Sequence, residues 1–362
     1  MTDVHPFRPD WVSAPGETIG DVLEERGWSQ ADLALRSGFT TKHVNDLVRG
    51  RATISADTAE RLATVLGSTT EFWLTREAKY RAGLERQKTL TSRKADVGWL
   101  TELPVGWMIR RGLIPPVTQK AARVDELLRW FGVATVEAWR NTYAAPLVAF
   151  RAAARLDGRI GGVASWLRAA EIEADTINCR PFEPDAFRGA LSKVRALVVE
   201  RTPRVFLLKV RELCAEAGVA VVWTPAPPGC PVHGATRWLT ATKALLVLSA
   251  RYRSDDQLWF SFFHEAAHIL KHGKKLLFVE GLTGLDEDKE READRFAAGT
   301  LIPVSSASLL SSLRTESQVL AFAASVGIAP GVVVGRLQHD GYLRHAQLNH
   351  LKVRYEWVTN EA

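Results

Sequence analysis

Apolar positions recur every three or four residues through 19–25, 30–36, 42–48 and 56–66. That period predicts four short amphipathic helices. Gly27, Gly38, Gly50 and Gly67 fall just past their ends, and Ser29, Thr40 and Ser55 stand at their N-caps. Across 75–98 the apolar stripe gives way to Arg76, Lys79, Arg81, Arg86, Lys88, Arg93 and Lys94. This stretch reads as a helix fading into a polar linker. Helical patterning returns over 99–200, with 127–131 and 163–167 as apolar faces broken by Pro115-Pro116 and Pro146. A helix is expected over 205–217. The period then changes, and 219–223, 234–239 and 244–248 read as strands. A helix over 256–271 follows. The predicted fold class is mainly α with an α+β part: an all-α N-terminal domain, a helical middle region and a small sheet backed by a helix.

Composition adds little to this pattern. The 362 residues are 46% hydrophobic and 24% charged, a globular balance. A formal charge of +6 permits contact with nucleic acid without requiring it. Three cysteines, Cys179, Cys214 and Cys230, form no paired spacing, which fits a reducing compartment. Residues 1–10 lack the apolar segment of a signal peptide, and no apolar run approaches a membrane span. A cytoplasmic protein with no membrane partner is expected.

The last predicted helix carries His264-Glu265-Ala266-Ala267-His268. Residues four apart share a helical face, so both imidazoles can bind one Zn2+ per chain. Glu265 lies off that face and suits a general base. A third ligand must come from elsewhere. Glu290 and Asp294 also lie four apart, so one can ligate while the other orients a ligand histidine. Glu292 is a second choice for the ligand and Asp288 a third. His339, Tyr342 and His272 are candidate donors to a reaction oxyanion. The strand at 234–238 or that at 245–248 could offer an edge to an extended peptide, with Arg237 and Trp238 facing it.

Three segments together resemble the ImmA/IrrE-type metallopeptidases. They are Phe262-Phe263-His264-Glu265-Ala266-Ala267-His268-Ile269-Leu270, the run from Glu290 to Ala298, and Leu301-Ile302-Pro303. The resemblance covers 203–340. It implies a zincin-like fold and a gluzincin-like endopeptidase site. His264, His268 and Glu290 would be the ligands, Glu265 the catalytic residue and Asp294 the group that orients a ligand. It also implies proteolysis of a helix-turn-helix repressor. Asp294 departs from the asparagine expected at its position.

Near the N-terminus, Ala34, Gly38 and Val44 have the spacing of a helix-turn-helix: small at the crossing, glycine in the turn, apolar in the second helix. Gln30, Thr40, Thr41, Lys42, Asn45, Arg49 and Arg51 are candidate DNA contacts. Arg36, Lys42, Arg49 and Arg51 face only Asp46 in opposite charge between 36 and 51. Residues 15–80 resemble HigA-like antitoxins of the Xre group. The matching residues are Pro15-Gly16-Glu17, the run from Trp28 to Ala34, the run from Ile54 to Ala59, and Glu71-Phe72-Trp73-Leu74. The resemblance implies a homodimer on a palindromic double-stranded DNA operator. Ala323, Gly327 and Val333 repeat the spacing, but the second helix there is apolar and is expected to pack inward.

The expected organisation is a tail (1–14), a DNA-binding domain (15–80), a polar linker (81–98), a helical region (99–202), a peptidase domain (203–345) and a second tail (346–362). The expected function is a transcription regulator fused to a zinc endopeptidase acting on a repressor or antitoxin-type protein. The exposed linker makes self-cleavage between 75 and 98 an option. The alternative is a non-catalytic transcription factor or antitoxin whose peptidase-like domain senses a metal or ligand.

Overall fold

The computed structural model describes residues 12–145, 147, 159–249, 254–273, 278–279 and 287–356. Pro146 and the outer parts of both expected tails lie outside these residues. The chain divides into two compact units. One is Met1–Val97 with Lys120–Ala122, and the other is Gly98–Gln119 with Arg123–Ala362.

In the first unit the helices are α1 (Pro15–Arg26), α2 (Gln30–Ser37), α3 (Thr41–Val48), α4 (Ala56–Leu66) and α5 (Thr70–Ala95). The side chains of Ser29, Thr40, Ser55 and Thr69 accept N–H bonds at the starts of α2 to α5. Gly27 and Gly38 take the left-handed backbone at the ends of α1 and α2. Helix α1 starts four residues before the apolar stripe, because Pro15 sits at its first position. Ile19, Leu33, Ala34, Val44, Leu47, Leu62 and Trp73 close the core.

The expected linker is instead helix. Helix α5 runs unbroken through Ala95 and passes into a 3-10 segment, Asp96–Glu102. Two of its basic residues are engaged, one far back along the chain and one within the helix. Arg76 donates to Ser13 Oγ, the Ala14 carbonyl and Thr18 Oγ1, while Arg81 pairs with Glu77 at 2.7 Å. Pairs at i,i+4 support a polar helix that lacks an apolar stripe.

The second unit is built around a four-stranded sheet of order β1-β3-β2-β4, with β1 Val219–Trp223, β2 Gly234–Thr240, β3 Lys243–Leu248 and β4 Phe278–Val279. Strands β1 and β3 are parallel, whereas β2 is antiparallel to both β3 and β4. Both faces are covered, so β1 and β3 are apolar without alternation. Val219, Val221, Leu246 and Leu248 face one core. It is completed by α10 (Pro184–Ala196), α11 (Pro203–Ala215), α12 (Asp255–Lys271), α14 (Glu316–Val326) and α15 (Pro330–His339). Ala220, Val222, Leu245 and Val247 face the other core, with α6 (Val105–Arg110), α7 (Lys120–Phe131) and α9 (Ile160–Asp175). Between α7 and α9, α8 (Val136–Trp139) passes into a π turn.

The helical stretch expected as a separate region therefore shares the sheet. Trp166 of α9 is fully buried, and its indole N–H donates to the Thr224 carbonyl at 2.7 Å. The C-terminal helix pair packs inward as its composition predicts, with Val333, Val334 and Leu337 fully buried. Among the described residues no single helix is long and apolar enough to cross a membrane.

Leu246 sits fully buried at the centre of the sheet. Its truncation removes contacts that the α12 face depends on. Leu246→Ala is expected to cost about 2–5 kcal/mol of stability. Urea denaturation followed by circular dichroism checks this, and a variant within error of the wild type would contradict the assigned core.

Candidate metal centre

Helix α12 begins with Asp255 and Asp256 in its first turn and ends with Lys271, an arrangement matched to the helix dipole. Most of its length is buried, including His264, Glu265 and His268. The 3.6-residue period stacks the two imidazoles, and their Nε2 atoms lie 3.0 Å apart. Helix α13 (Glu287–Leu301) crosses α12 and brings Glu290 to them. Its Oε2 is 3.2 Å from His264 Nε2, and its Oε1 is 3.4 Å from His268 Nε2.

Two nitrogens and a carboxylate converge within 4.8 Å of one another. Ligands on a tetrahedral zinc at ordinary bond lengths stand roughly 3.4 Å apart, so this donor set fits that ion. The outward nitrogens are held as well. His264 Nδ1 lies 2.9 Å from Asp294 Oδ1, and His268 Nδ1 lies 2.8 Å from His272 Nδ1. Burial, reinforced by His264 and His272, pushes the His268 pKa down to about 2, so its ring is neutral and can act as a ligand.

Of the acids considered, the structure brings Glu290 to the inner and Asp294 to the outer nitrogen of His264, and engages Glu292 and Asp288 elsewhere. Glu292 pairs with Lys271 at 2.7 Å and lies 3.4 Å from His272 Nε2. Lys271 and His272 hold its carboxyl below the usual range. Asp288 bonds Arg291 on the exposed side of α13.

Glu265 is fully buried on the sheet side of α12. A Cβ on Gly234, the first residue of β2, would lie 2.7 Å from the Glu265 Oε1 atom. Only glycine lets β2 pass this close to the carboxylate. In the sequence alone Gly234 reads only as the first residue of a strand that could offer an edge.

Residues 218–338 match the IrrE N-terminal-like domain family, and residues 19–74 match the helix-turn-helix family. No curated protein matches the chain. The chain joins a helix-turn-helix domain to an IrrE N-terminal-like domain.

The IrrE-like domain is metallopeptidase-like. One expectation about it needs correction. Strand β3 is interior, paired with β1 and β2, and β4 covers β2 at Ala235 and Thr236. The 245–248 stretch is therefore interior, while 234–238 is covered by β4 at two positions. Arg237 forms an ion pair with Glu171, and the Trp238 ring packs edge-on against Phe182 at 4.9 Å, so both serve the fold. The three oxyanion candidates sit in different settings. His272 is buried behind His268, His339 is bonded to Asp340 on an exposed face, and Tyr342 lies beneath Arg314.

In the helix-turn-helix domain, Thr41, Lys42, Arg49 and Arg51 are exposed on and just after α3. Asn45 links Gln30 of α2 to Arg51, donating to Gln30 Oε1 at 3.2 Å and accepting from Arg51 at 3.0 Å. Arg51 also pairs with Asp46 at 2.9 Å. The Thr40 hydroxyl caps α3 by accepting from the His43 N–H.

A cavity of about 460 Å³ lies along α12, lined by Asp256, Phe260, Asp294, Arg295 and Lys352 among others. Lys352 reaches Asp256 Oδ2 at 2.6 Å and Gln338 Oε1 at 2.8 Å. Neighbouring Asp255 is buried, and burial, aided by the Asp256 charge, pushes its pKa up to about 7. The native state thus keeps this proton where the unfolded chain, with a pKa of 3.8, releases it. Stability from this group is full at low pH and is lost as pH rises toward 7. Asp255→Asn is expected to lose less stability than the wild type between mildly acidic and mildly alkaline solution. Denaturant titrations at both pH values check this, and equal losses in the two proteins would refute it.

Proposed function

We propose that the chain is a DNA-binding transcription regulator whose second unit is a zinc-dependent endopeptidase acting on a repressor or antitoxin-type protein. The observation that carries this reading is the convergence of His264 Nε2, His268 Nε2 and the Glu290 carboxylate, with Glu265 buried beside them. His264, His268 and Glu290 would hold the ion, and Asp294 would orient His264. Zinc bound there supplies Lewis acidity toward a peptide carbonyl and a water.

The protein's own groups do the remaining work. Glu265 accepts a proton from the attacking water and returns it to the departing amine. Its close packing against Gly234 fixes where the carboxylate sits. A site meant only to sense metal has no need of such a base, and this favours catalysis over the sensor alternative.

The DNA-binding part falls to Gln30, Thr40, Thr41, Lys42, Asn45, Arg49 and Arg51, on a homodimer bound to a palindromic operator. Thr40 would contribute mainly by starting α3, and Asn45 by fixing Gln30 and Arg51 relative to each other. Cleavage of a separate protein is favoured over self-cleavage within 75–95. That segment is helix, and a protease needs an extended peptide bond. Helix α5 would have to unwind first.

Elemental analysis of the purified chain is expected to give about one zinc per molecule, lost in His264→Ala. A wild type without zinc after metal is restored would refute the proposal. Glu265→Gln is expected to retain zinc and operator binding while losing cleavage of a co-expressed repressor. Retained cleavage would remove Glu265 from the mechanism. Lys42→Ala is expected to weaken binding across sequences and lower the salt slope of affinity by about 1. An unchanged slope in filter-binding titrations would exclude a phosphate contact at Lys42.

A further inference from the structure

A chain of side-chain bonds ties the end of α3 to the start of α2. Gly50 takes the left-handed backbone at φ 67°, just past α3. The chain folds back there, and the Arg51 backbone N–H donates to the Asp46 carbonyl at 2.8 Å. The Arg51 guanidinium pairs with Asp46 Oδ1 at 2.9 Å and donates to Asn45 Oδ1 at 3.0 Å. Asn45 in turn donates from Nδ2 to Gln30 Oε1 at 3.2 Å. Lys42, Asn45, Asp46 and Arg51 line one hollow in this surface.

The direction of each bond is fixed from one end. A guanidinium has N–H donors and no acceptor. Asn45 must therefore give Arg51 its carbonyl oxygen, which leaves its amino group for Gln30. Gln30 must answer with its own oxygen. A reversed Asn45 amide would set N–H groups against the guanidinium and lose that bond. The two contacts are the side-chain bonds of Asn45 among the described residues, so nothing there favours the reverse.

We infer that Asn45 reads an adenine in the major groove, and that Arg51 is a positioning residue that holds the Asn45 amide for this contact instead of neutralising a phosphate. The inference rests on the DNA-binding reading and adds to it a base and a division of labour. An amide offers two N–H groups and two lone pairs. The bonds to Gln30 and Arg51 use one of each. One N–H and one lone pair are left, which match the N7 acceptor and N6–H donor of adenine. Guanine shows two acceptors at the same edge and would leave the asparagine lone pair unanswered. The second helix of a helix-turn-helix is the one that enters the groove, and Asn45 lies on it. Asp46 already balances the Arg51 charge, so removing Arg51 takes away no phosphate partner.

The full chain is used to select from duplexes with a randomised central stretch. The enriched duplex is then titrated beside its single-base variants over a range of salt. Asn45→Ala is expected to lose about 5- to 150-fold discrimination at one base pair of each half-site, and the wild type is expected to select adenine there. Arg51→Ala is expected to lose much of the discrimination at the same pair while its salt slope stays that of the wild type. Lys42→Ala shows the opposite pattern, a slope lower by about 1 with the base preference kept. A merely structural role for Arg51 would weaken binding to all the duplexes alike.

A guanine at the pair that Asn45→Ala affects overturns the inference. So does an Asn45→Ala variant with the wild-type preference at every pair. An Arg51→Ala variant that keeps its base preference and loses about one unit of salt slope makes Arg51 a phosphate contact and also overturns it. If the wild type enriches no duplex at all, the DNA-binding reading itself fails and the inference with it, an outcome distinct from the other three.

Discussion

A helix that buries two imidazoles and a carboxylate within five residues must find partners for them without water. In α12 each side of the helix solves part of that problem. Helix α13 contributes acids at Glu290 and Asp294, one on each side of the His264 ring. His272 takes the outward nitrogen of His268. The sheet lies against the remaining face, where Glu265 meets Gly234. The apolar residues of α12, Trp259, Phe262, Phe263 and Ala266, anchor it to the core so that these polar positions are not free to turn away. The sheet, covered on both faces, fixes the helix in turn. Arg195 completes the frame by donating to the carbonyls of Thr300, Leu301 and Val326, which end α13 and α14.

Much of this was legible in the chain, because periodicity acts over short range. Two histidines four apart share a face in any helix, and Glu290 with Asp294 repeats that logic one helix later. Capping residues marked the starts of α2, α3 and α4 because a side-chain oxygen must answer an orphaned N–H there. What escaped was set by partners distant in sequence. The polar stretch after position 75 lacks an apolar stripe, yet Arg76 ties it back to Ser13, Ala14 and Thr18 and keeps it helical. Strand β4 has two residues, too few for a period to emerge, and it covers β2 at Ala235 and Thr236.

The helical middle illustrates the same limit. Its apolar faces were evident, but nothing in 99–200 announces that they cover the far side of a sheet built from residues beyond 218. The clue lay in the strands: β1 and β3 are apolar at every position or nearly so, which signals burial on both faces. Choosing among Glu290, Glu292 and Asp288 likewise required the crossing of α12 and α13. That crossing turns one acid toward the histidines, ties another to Lys271 and leaves the third in the solvent.

Gly234 carries a consequence for reading related chains. The histidine-glutamate motif can persist in a sequence after its chemistry has been lost, since the helix still packs. A side chain at the start of β2 cannot coexist with the present spacing of strand and carboxylate. The absence of a single methyl group, some thirty residues upstream of the motif, therefore sets how closely the strand can approach that carboxylate. A chain that keeps the motif but fills this position must hold that strand and helix further apart.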